Sequence, residues 1–133
     1  ARAQVIHDLS AVTAACMMTK AEVFRQAGGF TEELAVAFND IDYCMKVRAL
    51  GKLVVYAPYA VMHHYESKSR GLEDTPEKVA RFNREVAVFA RRWPDILKNG
   101  DPYYNPNLTL RKSNFALRDL LKEKIGEPYK LEG

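Results

Sequence analysis

The sequence predicts a mixed α/β fold with short mixed strands and two or three helices. Three apolar runs, residues 12–18, 53–56 and 60–65, have the length and composition of strands. Residues 76–93 carry apolar side chains at spacings of three and four, which is typical of an amphipathic helix. Residues 113–124 are a candidate for a last helix. Glycine and proline clusters separate these segments, as turns require.

Two further segments before residue 53 are candidates for helices. The first covers residues 20–27, with Thr19 as its N-terminal cap and the pair Gly28-Gly29 as its end. Glycine suits this end because it accepts the left-handed conformation that closes many helices. The second helix begins at Asn39, a favourable capping residue, and stops at Gly51.

Composition excludes several classes of protein. The 133 residues are 47% hydrophobic, which is enough for a core, and the net charge of +3 comes from 20 basic and 17 acidic residues. That balance predicts no nucleic-acid partner, because such proteins carry a strongly basic face. No apolar run approaches the roughly 20 residues of a membrane span. Cys16 and Cys44 lie in apolar runs, so we expect two buried free thiols and a reducing compartment.

The densest concentration of chemical groups is the segment FNDIDY at residues 38–43. It places Asp40 and Asp42 at the predicted start of a helix, where the helix dipole favours negative charge. A carboxylate held there suits a general base, which removes a proton from a hydroxyl group. Acidic residues at helix starts are also common as simple caps, and the segment alone leaves both interpretations open.

A second candidate segment follows the predicted strand at residues 60–65. His63 and His64 stand at its end, and a neutral imidazole can bind a divalent metal. Lys68 and Arg70 come next in a polar loop and can pair with phosphate. In a strand the two histidines point to opposite faces, so they would not bind the same ion. The alternative is one buried, hydrogen-bonded histidine and one exposed histidine without a metal.

Taken in order, these segments resemble the family 2 glycosyltransferases of GT-A fold, above all the bacterial rhamnosyltransferase-like members that build surface polysaccharides. The resemblance extends over roughly residues 10–110 and depends on the ordered set rather than on any single block. The matching blocks are AVTAACMM at 11–18, GGFTE at 28–32, FNDIDYC at 38–44, residues 64–71, Arg92-Trp93, and DPYYNPNL at 101–108.

The resemblance implies roles for individual residues. The acidic pair of the family, usually Glu-Asp, corresponds to Asn39-Asp40, so Asp40 would be the base of an inverting sugar transfer from a nucleoside-diphosphate donor. The acceptor would be a saccharide or a lipid-linked acceptor. His64 would bind the divalent metal, Mg or Mn, on the diphosphate. The residues that the resemblance places in contact with substrate are Asn39, Asp42, Lys68 and Arg70.

The resemblance also implies an organisation. Residues 1–110 would be the acceptor-side, C-terminal portion of a Rossmann-like GT-A domain, and residues 111–133 a helical tail ending in possible vector-derived residues. The donor-binding half, with its Asp-x-Asp motif, would precede Ala1, so we expect the isolated chain to be inactive. Strand edges without neighbours would favour homo-oligomers. The expected location is the cytoplasm, which could include the inner face of the membrane.

Two other functions remain open at this point. One is a non-catalytic acceptor-binding or scaffold module that lacks the donor half. The other is a small metal-dependent hydrolase built on Asp40 and His64, for which the sequence offers no obvious third ligand.

Overall fold

The computed structural model describes residues 4–65, 75–112 and 114–123. It confirms the mixed α/β class, with a two-stranded sheet and four α-helices among the described residues instead of two or three. The chain divides into two compact units, Ala1–Phe89 and Ala90–Gly133, and the domain boundary at residue 110 stays a prediction. In chain order the elements are β1 (His7–Leu9), a 3-10 helix (Ala14–Cys16), α1 (Ala21–Gln26), α2 (Asn39–Ala49), β2 (Val54–Tyr56), α3 (Pro76–Arg92) and α4 (Pro94–Asn99).

The sheet of the first unit joins β1 and β2 in an antiparallel pair. His7 lies opposite Tyr56, and Leu9 lies opposite Val54. The rings of His7 and Tyr56 are 5.1 Å apart between centroids, so a cross-strand aromatic contact supports the register. The apolar run at residues 53–56 predicted β2 correctly, whereas β1 has no apolar alternation that would mark it in the sequence.

Two predicted strands are wrong. Residues 12–18 contain the 3-10 helix Ala14–Cys16 instead, with the Thr13 side chain accepting a 3.3 Å hydrogen bond from the amide of Ala15. Residues 60–65 have no regular secondary structure. A strand needs a neighbour to bind its amides and carbonyls. Within the part of the chain that the structure describes, neither segment is paired in a sheet.

Helix α1 begins and ends within one residue of its prediction. Thr19 is not its cap: Lys20 holds that position without a side-chain bond, and the Thr19 hydroxyl lies 2.8 Å from the Tyr43 hydroxyl. The glycine end is confirmed, because Gly28 and Gly29 have φ values of +76° and +65°. The chain therefore turns sharply after α1.

Helix α2 starts at Asn39, the predicted cap, so the observed cap lies one residue earlier. Phe38 is the N-cap, in the left-handed region with φ 63°, and Asn39 is already helical. A left-handed phenylalanine is strained by roughly 1–3 kcal/mol. The Phe38 ring packs on Phe82 and Phe89 of α3, at centroid distances of 5.6 and 5.3 Å, and this packing offsets the strain. Gly51, with φ +71°, follows the end of α2 as predicted.

The core of the first unit centres on α2. Tyr43 is the most enclosed aromatic residue, and its ring contacts Phe24 and Phe30 at 5.4 and 5.3 Å. The helix predicted at residues 76–93 is confirmed as α3. Of its apolar stripe Phe89 is buried, whereas Val79 and Phe82 are exposed. The buried apolar residues of this unit are Leu34, Tyr43, Cys44, Met45, Val47 and Phe89.

The second unit differs from its prediction. Residues 114–123 form turns and one antiparallel bridge, Leu108 with Leu117, so the helix predicted at 113–124 is wrong over these residues. The amide of Thr109 donates to the carbonyl of Ala116 at 2.9 Å, and that of Arg118 to the carbonyl of Asn107 at 2.8 Å. These bonds between two segments of the same chain occupy backbone amides and carbonyls that a helix would need for its own hydrogen bonds. Across the described residues, no helix combines the length and apolarity that crossing a bilayer demands.

Candidate functional site

Asp40 lies in the first turn of α2 with its carboxylate partly exposed. Its Oδ1 accepts a 2.8 Å hydrogen bond from the amide of Ile41, and its Oδ2 accepts a 3.1 Å bond from the amide of Ala14. The Asp40 amide donates to Oδ1 of Asn39 at 2.7 Å. The carboxylate is therefore held from two sides, and the helix dipole interacts favourably with its negative charge.

Ala14 connects Asp40 to a groove of the first unit. The groove has a volume of about 770 Å³ and is lined largely by residues of the 9–19 and 53–57 segments. Its lining is mostly apolar, and the hydrogen-bonded hydroxyls of Thr19 and Tyr43 add polar atoms to its wall. Asp40 itself does not line the groove. The amide that binds its Oδ2 belongs to Ala14, which does line the groove, so the carboxylate is hydrogen-bonded to a residue of the groove wall.

Asp42 occupies a different environment from Asp40. It is completely buried, and its Oδ2 accepts a 2.6 Å hydrogen bond from the Thr31 hydroxyl and lies 3.2 Å from Nζ of Lys46. Lys46 also donates to the carbonyl of Gly29 at 2.9 Å. Asp42 thus ties the turn after α1 to the start of α2. Its contact with substrate stays a prediction, and a ligand would reach this carboxylate only by displacing those groups.

Cys44 is buried one turn after Asp40. Burial raises the pKa of its thiol above the ordinary value of 9.0, a backbone hydrogen bond with Val12 lowers it, and the negative charge of Asp40 raises it. The thiol lies 3.8 Å from the Val12 carbonyl oxygen, to which it donates. Cys16, in the 3-10 helix, is exposed, so the expectation of two buried thiols is wrong for this residue. The 3-10 helix contains no buried residue, and Cys16 lies at the surface with its neighbours.

The second predicted group of site residues is only partly described. His63 and His64 are exposed, in a segment without the predicted strand, so the alternative in which one of them is buried is wrong. Lys68 and Arg70 lie outside the described residues. Among residues 4–65, 75–112 and 114–123, no three His, Cys, Asp or Glu side chains converge as metal ligands. The described residues therefore do not fit a complete metal site, and His64 stays a predicted single ligand.

Three contacts at or near the start of α2 were not predicted from the sequence. They are the Ala14 amide, the Thr31 hydroxyl on Asp42, and Glu85 of α3, whose carboxylate accepts from the amide of Ala37. Glu85 had a readable signal. It lies three residues after Phe82 and four before Phe89, on the apolar face of α3, and a charge on such a face needs a buried partner. The Ala14 contact left no signal in the sequence, because every residue other than proline carries a backbone amide.

Comparisons with known proteins give two similar sequences. The chain is 53% identical over 117 residues to "Uncharacterized protein y4gI" of Sinorhizobium fredii, a match that covers 87% of this chain and 13% of that protein. It is 37% identical over 107 residues to "O-antigen biosynthesis protein RfbC" of Myxococcus xanthus, covering 80% of this chain and 8% of that protein. The chain thus spans only a small fraction of the length of these relatives. No family model matches, and no solved structure gives a significant match.

Proposed function

We propose that this chain is the acceptor-side part of an inverting glycosyltransferase of cell-surface polysaccharide synthesis, with Asp40 as its general base. The observation that carries the proposal is the orientation of Asp40, whose partly exposed carboxylate is held by the amides of Ala14 and Ile41 at the first turn of α2. The activity belongs to a longer protein, since the chain corresponds to 13% and 8% of its two relatives.

An inverting sugar transfer needs one general base beside the hydroxyl of the acceptor sugar. Asp40 takes the proton of an acceptor hydroxyl while that oxygen bonds to the anomeric carbon of the sugar. The bond from this carbon to the nucleoside diphosphate breaks, and the diphosphate leaves with its electron pair. A carboxylate oxygen has two acceptor positions, so each oxygen of Asp40 can bind a hydroxyl beside its backbone amide. The base must lie about 2.6–3.2 Å from the oxygen that it deprotonates.

Two similarities of the sequence support polysaccharide synthesis as the setting. The ordered blocks of the sequence resemble family 2 glycosyltransferases of GT-A fold, including FNDIDYC at residues 38–44. The relative from Myxococcus xanthus carries O-antigen biosynthesis in its name. A saccharide or a lipid-linked saccharide is therefore the acceptor that we propose, and a nucleotide sugar the donor.

The donor side of the reaction rests on residues that the resemblance selects. His64 would contribute a ligand to Mg or Mn, and Lys68 and Arg70 would contact the diphosphate. A divalent metal bound there neutralises negative charge on the leaving group. Because the described residues contain no set of three ligands, further ligands would come from the donor-binding half of the longer protein.

The substitution Asp40→Asn tests the proposal in the longer protein. We expect turnover of sugar transfer to fall by roughly a hundredfold or more, the scale of a lost general base, with unchanged affinity for the nucleotide sugar in calorimetry. The matched control is Asp95→Asn, which alters the acidic residue in the first turn of α4 and should leave turnover unchanged. Full turnover in Asp40→Asn, with both variants folded, would favour the non-catalytic acceptor-binding module.

A further inference from the structure

The second unit exposes a group of large apolar side chains near residue 120. Leu117, Leu120 and Leu121 are 80%, 64% and 98% exposed, and we call them the leucine patch. Phe115 and Leu110 stand nearby in sequence, with 56% and 50% exposure. Exposed apolar groups that cluster in this way mark interaction sites on soluble domains.

Backbone bonds hold the patch in place. Leu117 belongs to the bridge with Leu108. Asp119 closes the following turn: its carbonyl accepts from the amide of Lys122 at 2.9 Å, and its Oδ1 accepts from the amide of Leu121 at 3.1 Å. Leu120 and Leu121 thus project from an ordered turn. Binding through them costs little additional ordering of the backbone, which favours a real docking surface.

The charge around the patch is positive. Residues 110–123 contain four basic side chains, Arg111, Lys112, Arg118 and Lys122, against the two acidic side chains Asp119 and Glu123. Arg111 and Lys122 are 52% and 75% exposed although each lies within 4 Å of an acidic partner. A partner for this surface must accept leucine side chains and carry negative charge. The interface of an anionic bilayer meets both requirements.

We propose that the leucine patch docks this chain on the surface of an anionic membrane. Leu120 and Leu121 enter the boundary between headgroups and acyl chains, while Lys112 and Lys122 lie among the lipid phosphates. One such contact gives reversible attachment, because stable anchoring takes a second signal. The proposal does not depend on the role of Asp40, and it holds equally if the chain is a scaffold.

Vesicle co-sedimentation of the 133-residue chain tests the proposal. We expect binding to vesicles of phosphatidylcholine mixed with phosphatidylglycerol, much weaker binding to pure phosphatidylcholine, and loss of binding at high salt. The double variant Leu120→Ser/Leu121→Ser should bind about tenfold or more weakly, because it removes the inserted apolar groups. Lys112→Gln/Lys122→Gln should reduce binding to the anionic vesicles alone. The matched control is Met18→Ser in the first unit, which alters a side chain of equal exposure and should bind like the unaltered chain.

Three results would overturn the docking proposal. The first is an absence of binding to anionic vesicles by the unaltered, folded chain. The second is equal binding by Leu120→Ser/Leu121→Ser, with circular dichroism showing the same fold. The third is concentration-dependent self-association in light scattering that the double substitution abolishes while vesicle binding is absent. That last outcome would make a second copy of the chain the occupant of the patch.

Discussion

The backbone amide of Ala14 donates a 3.1 Å hydrogen bond to Oδ2 of Asp40, across 26 positions of sequence. The bond joins the 3-10 helix to the first turn of α2 and fixes the direction of a carboxylate that would otherwise rotate about its side-chain torsions. It also brings Asp40 next to the wall of the groove that Ala14 lines. A helix-capping aspartate would need only its own helix, so this long-range contact distinguishes Asp40 from an ordinary cap.

Asp42 is expected to stabilise the start of α2 rather than to perform chemistry. Replacing it with alanine removes the acceptor of Thr31 and the counter-charge of Lys46, whose side chain is only 14% exposed. Breaking a buried ion pair from one side costs about 3 kcal/mol or more. We therefore expect Asp42→Ala to lose about that much free energy of unfolding in urea titrations.

The control for Asp42 is an acidic residue at another helix start. Glu22 lies exposed in the first turn of α1, and Glu22→Ala should cost less than about 1 kcal/mol. Equal losses in the two variants would show that the network of Asp42, Thr31 and Lys46 contributes nothing beyond the helix dipole.

Glu85 is expected to hold the loop that leads into Asp40. Its carboxylate accepts from the Ala37 amide and lies 3.9 Å from Nε of Arg81, and the side chain is 3% exposed. Glu85→Ala leaves the Ala37 amide without this acceptor, which should cost about 2 kcal/mol. Glu85→Gln keeps an acceptor oxygen and should lose less, about 1 kcal/mol.

Chemical denaturation of both Glu85 variants measures this difference. Glu77→Ala, at an exposed position in the first turn of the same helix, controls for the loss of a carboxylate on α3. If Glu85→Gln proves as damaging as Glu85→Ala, the charge of Glu85 matters more than its bond to Ala37.

The two glycines after α1 offer a matched comparison. Both have positive φ, so alanine at either position is strained by about 1–2 kcal/mol. A Cβ at Gly28 would meet nothing within 4 Å, whereas a Cβ at Gly29 would lie 3.2 Å from Cζ of Phe24. Phe24 packs against Phe30 and Tyr43, so its ring cannot move without disturbing the core. We expect thermal unfolding to show a larger loss for Gly29→Ala than for Gly28→Ala; equal losses would mean that the ring yields freely.

The two thiols should differ in reactivity. Cys16 is exposed and should react with a disulfide reagent in the folded chain, whereas buried Cys44 should react only slowly until the chain unfolds. In the variant Cys16→Ser, the remaining signal comes from Cys44 alone. Modification of folded Cys16→Ser as fast as that of the unfolded chain would contradict the burial of Cys44.

Cys44 also predicts a dependence of stability on pH. Burial raises the pKa of its thiol in the folded chain above 9.0, so the unfolded chain releases this proton first. The stabilising contribution is complete below the ordinary thiol pKa and is lost as the pH rises above it. We compare the free energy of unfolding in urea near neutral pH with that above pH ~9. We expect it to fall less between these two conditions for Cys44→Ala than for the unaltered chain. The same loss in both chains would assign the effect to other groups.

Local signals in the sequence predicted much of the helical framework. Helix α3 followed from the spacing of its apolar residues, and α1 from the glycines at its end, because a helix satisfies its own backbone and its periodicity is visible in one segment. The acidic start of α2 was also visible in one short segment, at residues 39–42. Lys68 and Arg70 lie outside the described residues, so their roles, like that of His64 as a metal ligand, stay predictions.

Only the tertiary structure decided how residues 12–18 behave and which groups surround Asp40. An apolar run becomes a strand when a neighbouring strand binds its amides, and the amide of Ala14 binds the carboxylate of Asp40 instead. Asp40 and Asp42 look alike in the sequence, two positions apart. The turn of the helix directs one toward the groove wall and buries the other against Thr31 and Lys46, so their different environments follow from packing that no local pattern records.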